Sequence, residues 1–139
     1  MQKTPQKIPK NTRIKVCGFT RPDDVLAAVD AGVDAFGFVF YPPSPRYVHP
    51  EQAAELVALL PPFVQAVGLF VNATDSEIAH TLATVPLHVL QFHGDESPAA
   101  CQTWQRPWLR AARVRPGLDL LQYTAAYPAA SGFQGVLLD

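Results

Sequence analysis

Six short apolar runs separated by five stretches of helical periodicity limit what this 139-residue chain can fold into. The runs are Ile14 to Cys17, Ala35 to Phe40, Gln65 to Val71, His88 to Phe92, Trp108 to Val114 and Gly135 to Asp139. They are almost continuously apolar, Phe36-Gly37-Phe38-Val39-Phe40 most clearly. That is the pattern of parallel strands covered on both faces. Between them, Pro22 to Ala31 carries Val25, Leu26 and Val29 at helical spacing, and Pro50 to Leu60 sets Ala53, Leu56, Val57 and Leu60 on one face. A third helix opens at Thr74, with Glu77 three residues on as in a capping box. Ser97 to Trp104, with Pro98 in its first position, and Leu118 to Tyr127 complete the set.

Strand–helix units that recur every ~20–30 residues fit either a (β/α)8 barrel or an open doubly wound sheet. No G-x-G-x-x-G follows the first strand, which disfavours a dinucleotide site of that kind. A closed barrel needs eight strands and usually at least about 200 residues. With six strands and five helices, either the sheet is open or the chain stops short of a full barrel. Residues 14–139 are read as the domain and residues 1–13, with Lys3, Lys7, Lys10 and Arg13 and no acid, as a flexible tail.

The net charge of -1 and the lack of a basic stripe argue against a nucleic-acid partner. Cys17 and Cys101 lie far apart and fit no metal-ligand spacing, so no metal is expected. A reducing compartment, the cytoplasm, is the simpler setting for them. No apolar run is long enough to span a bilayer, and the first residues lack the apolar core of a secretory signal.

In a barrel, function collects at the carboxyl ends of the strands. This chain puts there Cys17, the loop from Tyr41 to Tyr47 with Arg46, Asn72, the run His93-Gly94-Asp95-Glu96, Arg113 or Arg115, and Asp139. A thiol, a guanidinium, an imidazole and a carboxyl group can supply acid–base chemistry, which needs two titratable groups in different proton states. Cys17 sits where a strand hands over to a helix, with Thr20 as candidate N-cap and Pro22 in the first turn. Arg46 is held in a loop stiffened by Pro42, Pro43 and Pro45; a fixed guanidinium can grip a carboxylate with two bonds. His93 shares a face with Gln91, either to bind substrate or to bond to the following turn. Asp139 is a site group or a helix cap. Lys15 shares the face of Cys17 and is the one strand lysine available to an aldolase-type Schiff base.

Several pieces together resemble the phosphoribosylanthranilate isomerase family of tryptophan biosynthesis. They are Lys15-Val16-Cys17-Gly18-Phe19-Thr20; Gly37 to Pro42 with Ser44-Pro45-Arg46-Tyr47; Leu60 to Phe63 with Val67 to Asn72; Leu90-Gln91-Phe92-His93-Gly94-Asp95-Glu96; and Leu137-Leu138-Asp139. The resemblance implies a (β/α)8 TIM-barrel fold without metal or organic cofactor. It also implies an Amadori rearrangement of N-(5-phosphoribosyl)anthranilate to 1-(2-carboxyphenylamino)-1-deoxyribulose 5-phosphate. Cys17 then matches the general base and Asp139 the general acid. Arg46 matches the residue that pairs with the anthranilate carboxylate, and His93, with Gln91, belongs to the substrate pocket. The expected partner is a small phosphosugar, and the expected assembly a monomer or homodimer. The family continues for two more strands and three helices after the acid, including its phosphate site, so the chain by itself is expected to be an inactive fragment. Two alternatives stand beside this: another cofactor-free phosphosugar epimerase or aldolase barrel, and a non-catalytic barrel remnant that associates through its open edge strands.

Overall fold

The computed structural model describes residues 11–139. The expected tail falls largely outside the described residues; Arg13, at its end, lies 3.4 Å from Asp34. The strands are β1 (Lys15–Cys17), β2 (Ala35–Val39), β3 (Gln65–Phe70), β4 (Val89–Phe92), β5 (Trp108–Ala112) and β6 (Phe133–Leu138). Helices α1 (Pro22–Asp30), α2 (Pro50–Val57), α3 (Asp75–Thr84), α4 (Pro98–Gln102) and α5 (Leu120–Thr124) fill the five connections. All strands are parallel and lie side by side in chain order, β1 to β6. A doubly wound sheet reverses its strand order at a switch point. This one never does, so the winding is that of a (β/α) barrel, with six of its eight strands and with β1 and β6 each paired on one side only among the described residues.

The register sorts side chains onto two faces. Adjacent partners share a face, and alternate residues along a strand share it too. Phe36, Phe38, Ala66, Phe70, Leu90, Phe92 and Trp108 pack with Val25, Leu56, Ile78, Val85, Cys101 and Tyr127 of the helical layer and its connecting segments. An aromatic chain runs through this layer: Phe40–Phe70 (5.5 Å between centroids), Phe70–Phe92 (6.2 Å), Phe92–Trp108 (6.1 Å) and Trp108–Tyr127 (6.1 Å). Trp108 is fully buried and satisfies its indole by donating to the Ser131 carbonyl at 2.8 Å. The opposite face carries Cys17, Gly37, Val67, Leu69, Gln91, Leu109, Ala111 and Leu137 in consecutive register.

The elements follow the expected order, with shifted ends. Thr20 is not the cap of α1: Arg21 occupies that position without a side-chain bond, and Pro22 opens the helix. Thr74 does cap α3, and its capping box with Glu77 is complete. α5 starts two residues later than expected, because Asp119 accepts from the Gln122 amide at 3.1 Å and so takes the cap position. α4 stops at Gln102 rather than Trp104, ahead of Gln105 at φ 55°, a backbone angle no helix continues through. β6 begins at Phe133 rather than Gly135, because a register irregularity at Trp108/Leu109 lets Phe133 pair with Trp108.

Candidate functional site

Gly18 turns the chain out of β1 at φ 98°, a region open to glycine, and its amide donates to the Gly37 carbonyl at 2.9 Å. The Arg46 side chain fills the space beside it. A Cβ on Gly18 would lie 2.5 Å from Arg46 Cδ. Arg46 Nη1 donates to the Cys17 carbonyl at 2.9 Å, so its guanidinium is tied to the end of β1. The loop that delivers it is shaped locally: the Arg46 amide donates to Ser44 Oγ at 3.1 Å, and Val48 returns to β2 through a bond to the Val39 carbonyl at 3.1 Å. Cys17 is half-buried. Its sulfur lies over Gly37, where a Cβ would come within 2.7 Å of it. Cys17 and Arg46 therefore form one cluster at the carboxyl end of β1.

His93 and Asp139 form the second. His93 Nε2 is 3.0 Å from Asp139 Oδ2, with the imidazole 18% and the carboxylate 57% exposed. Of the two readings of His93, Nε2 does not make the bond to the following turn; the ring reaches across to the end of β6. If Asp139 is ionised, Nε2 donates; if Asp139 carries the proton, the carboxyl O–H donates to Nε2. Gln91 lies two residues earlier on the same face, 2% exposed, and its Oε1 accepts no hydrogen bond. Buried polar atoms are rarely left so, and an orphan carbonyl there is open to a ligand's donor. The register continues from Cys17 through Gly37, Leu69, Gln91 and Leu109 or Ala111 to Leu137, and Asp139 follows on the same parity. All five candidates belong to one end of one parallel sheet. Two clusters stand there, Cys17 with Arg46 and His93 with Asp139, and no hydrogen bond joins them.

A cavity of about 380 Å³ adjoins the second cluster, lined among others by Tyr41, His93, Asp95, Arg113, Arg115 and Tyr123. Of the five candidates His93 alone lines it. Among the described residues no group of three His, Cys, Asp or Glu side chains could hold a metal ion, and no helix is long and apolar enough to cross a membrane. Lys15 is half-buried and makes no ion pair among the described residues.

The residue that sequence reasoning passed over is Arg110, beneath the loop. Arg110 pairs with Glu96 at 2.8 Å with both side chains almost fully buried. An arginine inside the apolar run Trp108-Leu109-Arg110-Ala111-Ala112 is the signal that could have found it, since a buried guanidinium requires partners.

The family described as N-(5'phosphoribosyl)anthranilate (PRA) isomerase matches residues 14–139. The chain belongs to this family. It is 59% identical over 128 residues to the N-(5'-phosphoribosyl)anthranilate isomerase of Dechloromonas aromatica, covering 92% of this chain and 60% of that protein. It is 56% identical over 129 residues to the Pseudomonas putida (strain W619) isomerase, covering 93% and 61%. The chain thus spans about 60% of the length of the curated isomerases it matches. The crystal structure of phosphoribosyl anthranilate isomerase from Thermotoga maritima superposes with a TM-score of 0.83 at 37% identity, over 93% of this chain and 62% of that one. A second isomerase structure, in complex with reduced 1-(o-carboxyphenylamino)-1-deoxyribulose 5-phosphate, has a TM-score of 0.77 at 34% identity, over 92% and 75%.

Proposed function

We propose that the chain carries the acid–base half of an aldose–ketose isomerase site that takes N-(5'-phosphoribosyl)anthranilate to 1-(2-carboxyphenylamino)-1-deoxyribulose 5-phosphate in tryptophan biosynthesis. The observation that carries this reading is the common face and common end of the sheet shared by Cys17 on β1 and Asp139 just beyond β6. In the proposed sequence, Asp139 gives its proton to the furanose ring oxygen, the C1–O bond breaks, and an open-chain iminium forms. The Cys17 thiolate then takes the proton from C2, leaving an enolamine that tautomerises to the ketone. One proton leaves the acid and one reaches the base, and solvent restores both. Arg46 faces the substrate carboxylate. Gln91, through its free carbonyl oxygen, takes a donor of the bound ligand. His93 holds the Asp139 proton at a defined oxygen, a role supported by their 3.0 Å contact. The proposed setting is the cytoplasm, with a small phosphosugar as partner and with neither nucleic acid nor membrane. The assembly is a monomer or homodimer; the Thermotoga maritima enzyme is described in one structure as dimeric.

The test is the loss of substrate fluorescence on adding the purified chain. Turnover that falls by about 10²–10⁴-fold in Cys17→Ala and in Asp139→Asn, the span of general acid–base contributions, supports the reading. Turnover unaffected by either change overturns it. A second reading has its own observation, the outer sides of β1 and β6, which are unpaired among the described residues. A chain that is folded and oligomeric but never turns over substrate is a binding remnant instead.

A further inference from the structure

Arg110 lies on the opposite side of the sheet from the candidate groups, yet all but one of the bonds its guanidinium makes end on the loop that follows His93. Its register partners are Phe92 of β4 and Val136 of β6, which marks the helix-covered face. Nε donates to Tyr123 Oη of α5 at 3.0 Å. Nη1 donates to Glu96 Oε1 at 2.8 Å and to the Glu96 carbonyl at 3.2 Å, and Nη2 donates to the Gly94 carbonyl. Glu96 passes the hold on: Oε1 accepts from the Gly94 amide at 2.8 Å and Oε2 from the Asn72 amide at 2.8 Å. Asn72 closes the circuit by accepting from the Asp95 amide at 2.8 Å, from a backbone at φ 49°. The exit loops of β3 and β4 are thus bound to each other and to β5 and α5 through one ion pair whose members are 5% and 8% exposed.

Stability alone accounts poorly for this arrangement, because apolar residues of equal volume often replace a buried ion pair without loss. Its geometry has a more specific outcome. The His93 amide is fixed by the Phe70 carbonyl at 2.9 Å, and the next residue, Gly94, is fixed by Arg110 and Glu96. With the backbone held on both sides, the ring keeps the direction that brings Nε2 to Asp139.

We infer that Arg110 and Glu96, with Asn72, are positioning residues that aim His93 at Asp139. This rests on the proposed function for its catalytic meaning, since that is where the His93–Asp139 contact is used. A guanidinium is needed because four acceptor atoms on three residues lie in different directions, and a lysine ammonium, a compact charge on a flexible stem, replaces its planar fork poorly.

Three variants test the inference: Arg110→Lys, Glu96→Gln, and Asn72→Gly, which removes an exposed side chain while tolerating the positive φ. The first readout is the ring-nitrogen NMR spectrum of His93 in the substrate-free chain, calibrated by Asp139→Asn. The expected result is that the His93 resonances in the three variants move toward their position in Asp139→Asn. In the turnover assay kcat falls on the order of 10²-fold, as a misplacement of about 1 Å can produce, while KM changes little. A merely structural pair would lower the melting temperature and leave the His93 spectrum in place. Folded variants with wild-type His93 resonances would therefore overturn the inference, and if Arg110→Lys or Glu96→Gln fails to fold, Asn72→Gly decides. Turnover unchanged in Asp139→Asn would overturn the proposed function instead; the spectrum, needing no substrate, separates the two failures.

Discussion

Cys17 and Cys101 are both free thiols in opposite surroundings. Cys101 has no exposed surface, and burial, reinforced by Glu96 nearby, pushes its pKa up to about 12. At pH 8 a thiol reagent such as a disulfide chromogen is expected to titrate one group, Cys17, in the native chain and two in denaturant. Two equivalents under native conditions would show that Cys101 is not sealed. The sign of the pH effect on stability follows: the folded state holds the Cys101 proton more tightly than the unfolded chain does. This contribution is therefore whole below about pH 9 and is lost as the pH rises toward about 12. Urea midpoints at pH 8 and 10.5 should differ by more in the parent chain than in Cys101→Ala. Gly18→Ala is the sharpest small change near the site. It forces a positive φ on a side-chain-bearing residue and drives its Cβ into Arg46, so a loss of roughly 1–3 kcal/mol in urea unfolding is expected. Gly18 was visible in the sequence as the stop of β1, but that Arg46 fills the space beside it was not, because a loop 28 residues on delivers that side chain.

At the scale of elements, the strands and helices were legible because apolar runs and capping residues act over a few residues. The Thr74–Glu77 box is the clearest case, and Thr74→Ala should destabilise the chain by about 1 kcal/mol in a thermal or urea melt. Thr20 misled for the same local reason: it is a good cap residue, but Pro22 sets the helix start and Arg21 takes the cap position. The His93–Asp139 contact was out of reach of such reasoning, since its partners are 46 residues apart. Strand parity supplied the common face of Gln91 and His93 and of Cys17 and Lys15, while the brace under the loop needed the register of β4 against β5. The aromatic layer is a further element-scale feature. Trp108 meets Phe92, Tyr127 and Phe133 at centroid distances of 6.1, 6.1 and 5.2 Å, so Trp108→Ala should cost about 3–5 kcal/mol, enough to leave little folded chain by circular dichroism.

At the scale of the whole molecule, β1 and β6 are each paired on one side only among the described residues, and Leu138 on β6 is 60% exposed. Edges of this kind recruit further strands. Sedimentation equilibrium is expected to return a mass above 15.2 kDa that rises with concentration, and Leu138→Lys should bring it down. The sequential strand order has one more consequence. The thiol is on β1 and the carboxyl group just past β6, the first and last strands among the described residues, so five interstrand spacings of about 4.8 Å would set them about 24 Å apart on a flat ribbon. No single pentose bridges such a gap. In the proposed reaction their meeting over one sugar is therefore a matter of how tightly the sheet curls, and whatever flattens or tightens that curl, a bound chain along either rim included, is expected to act as a dimmer on that chemistry without touching either group.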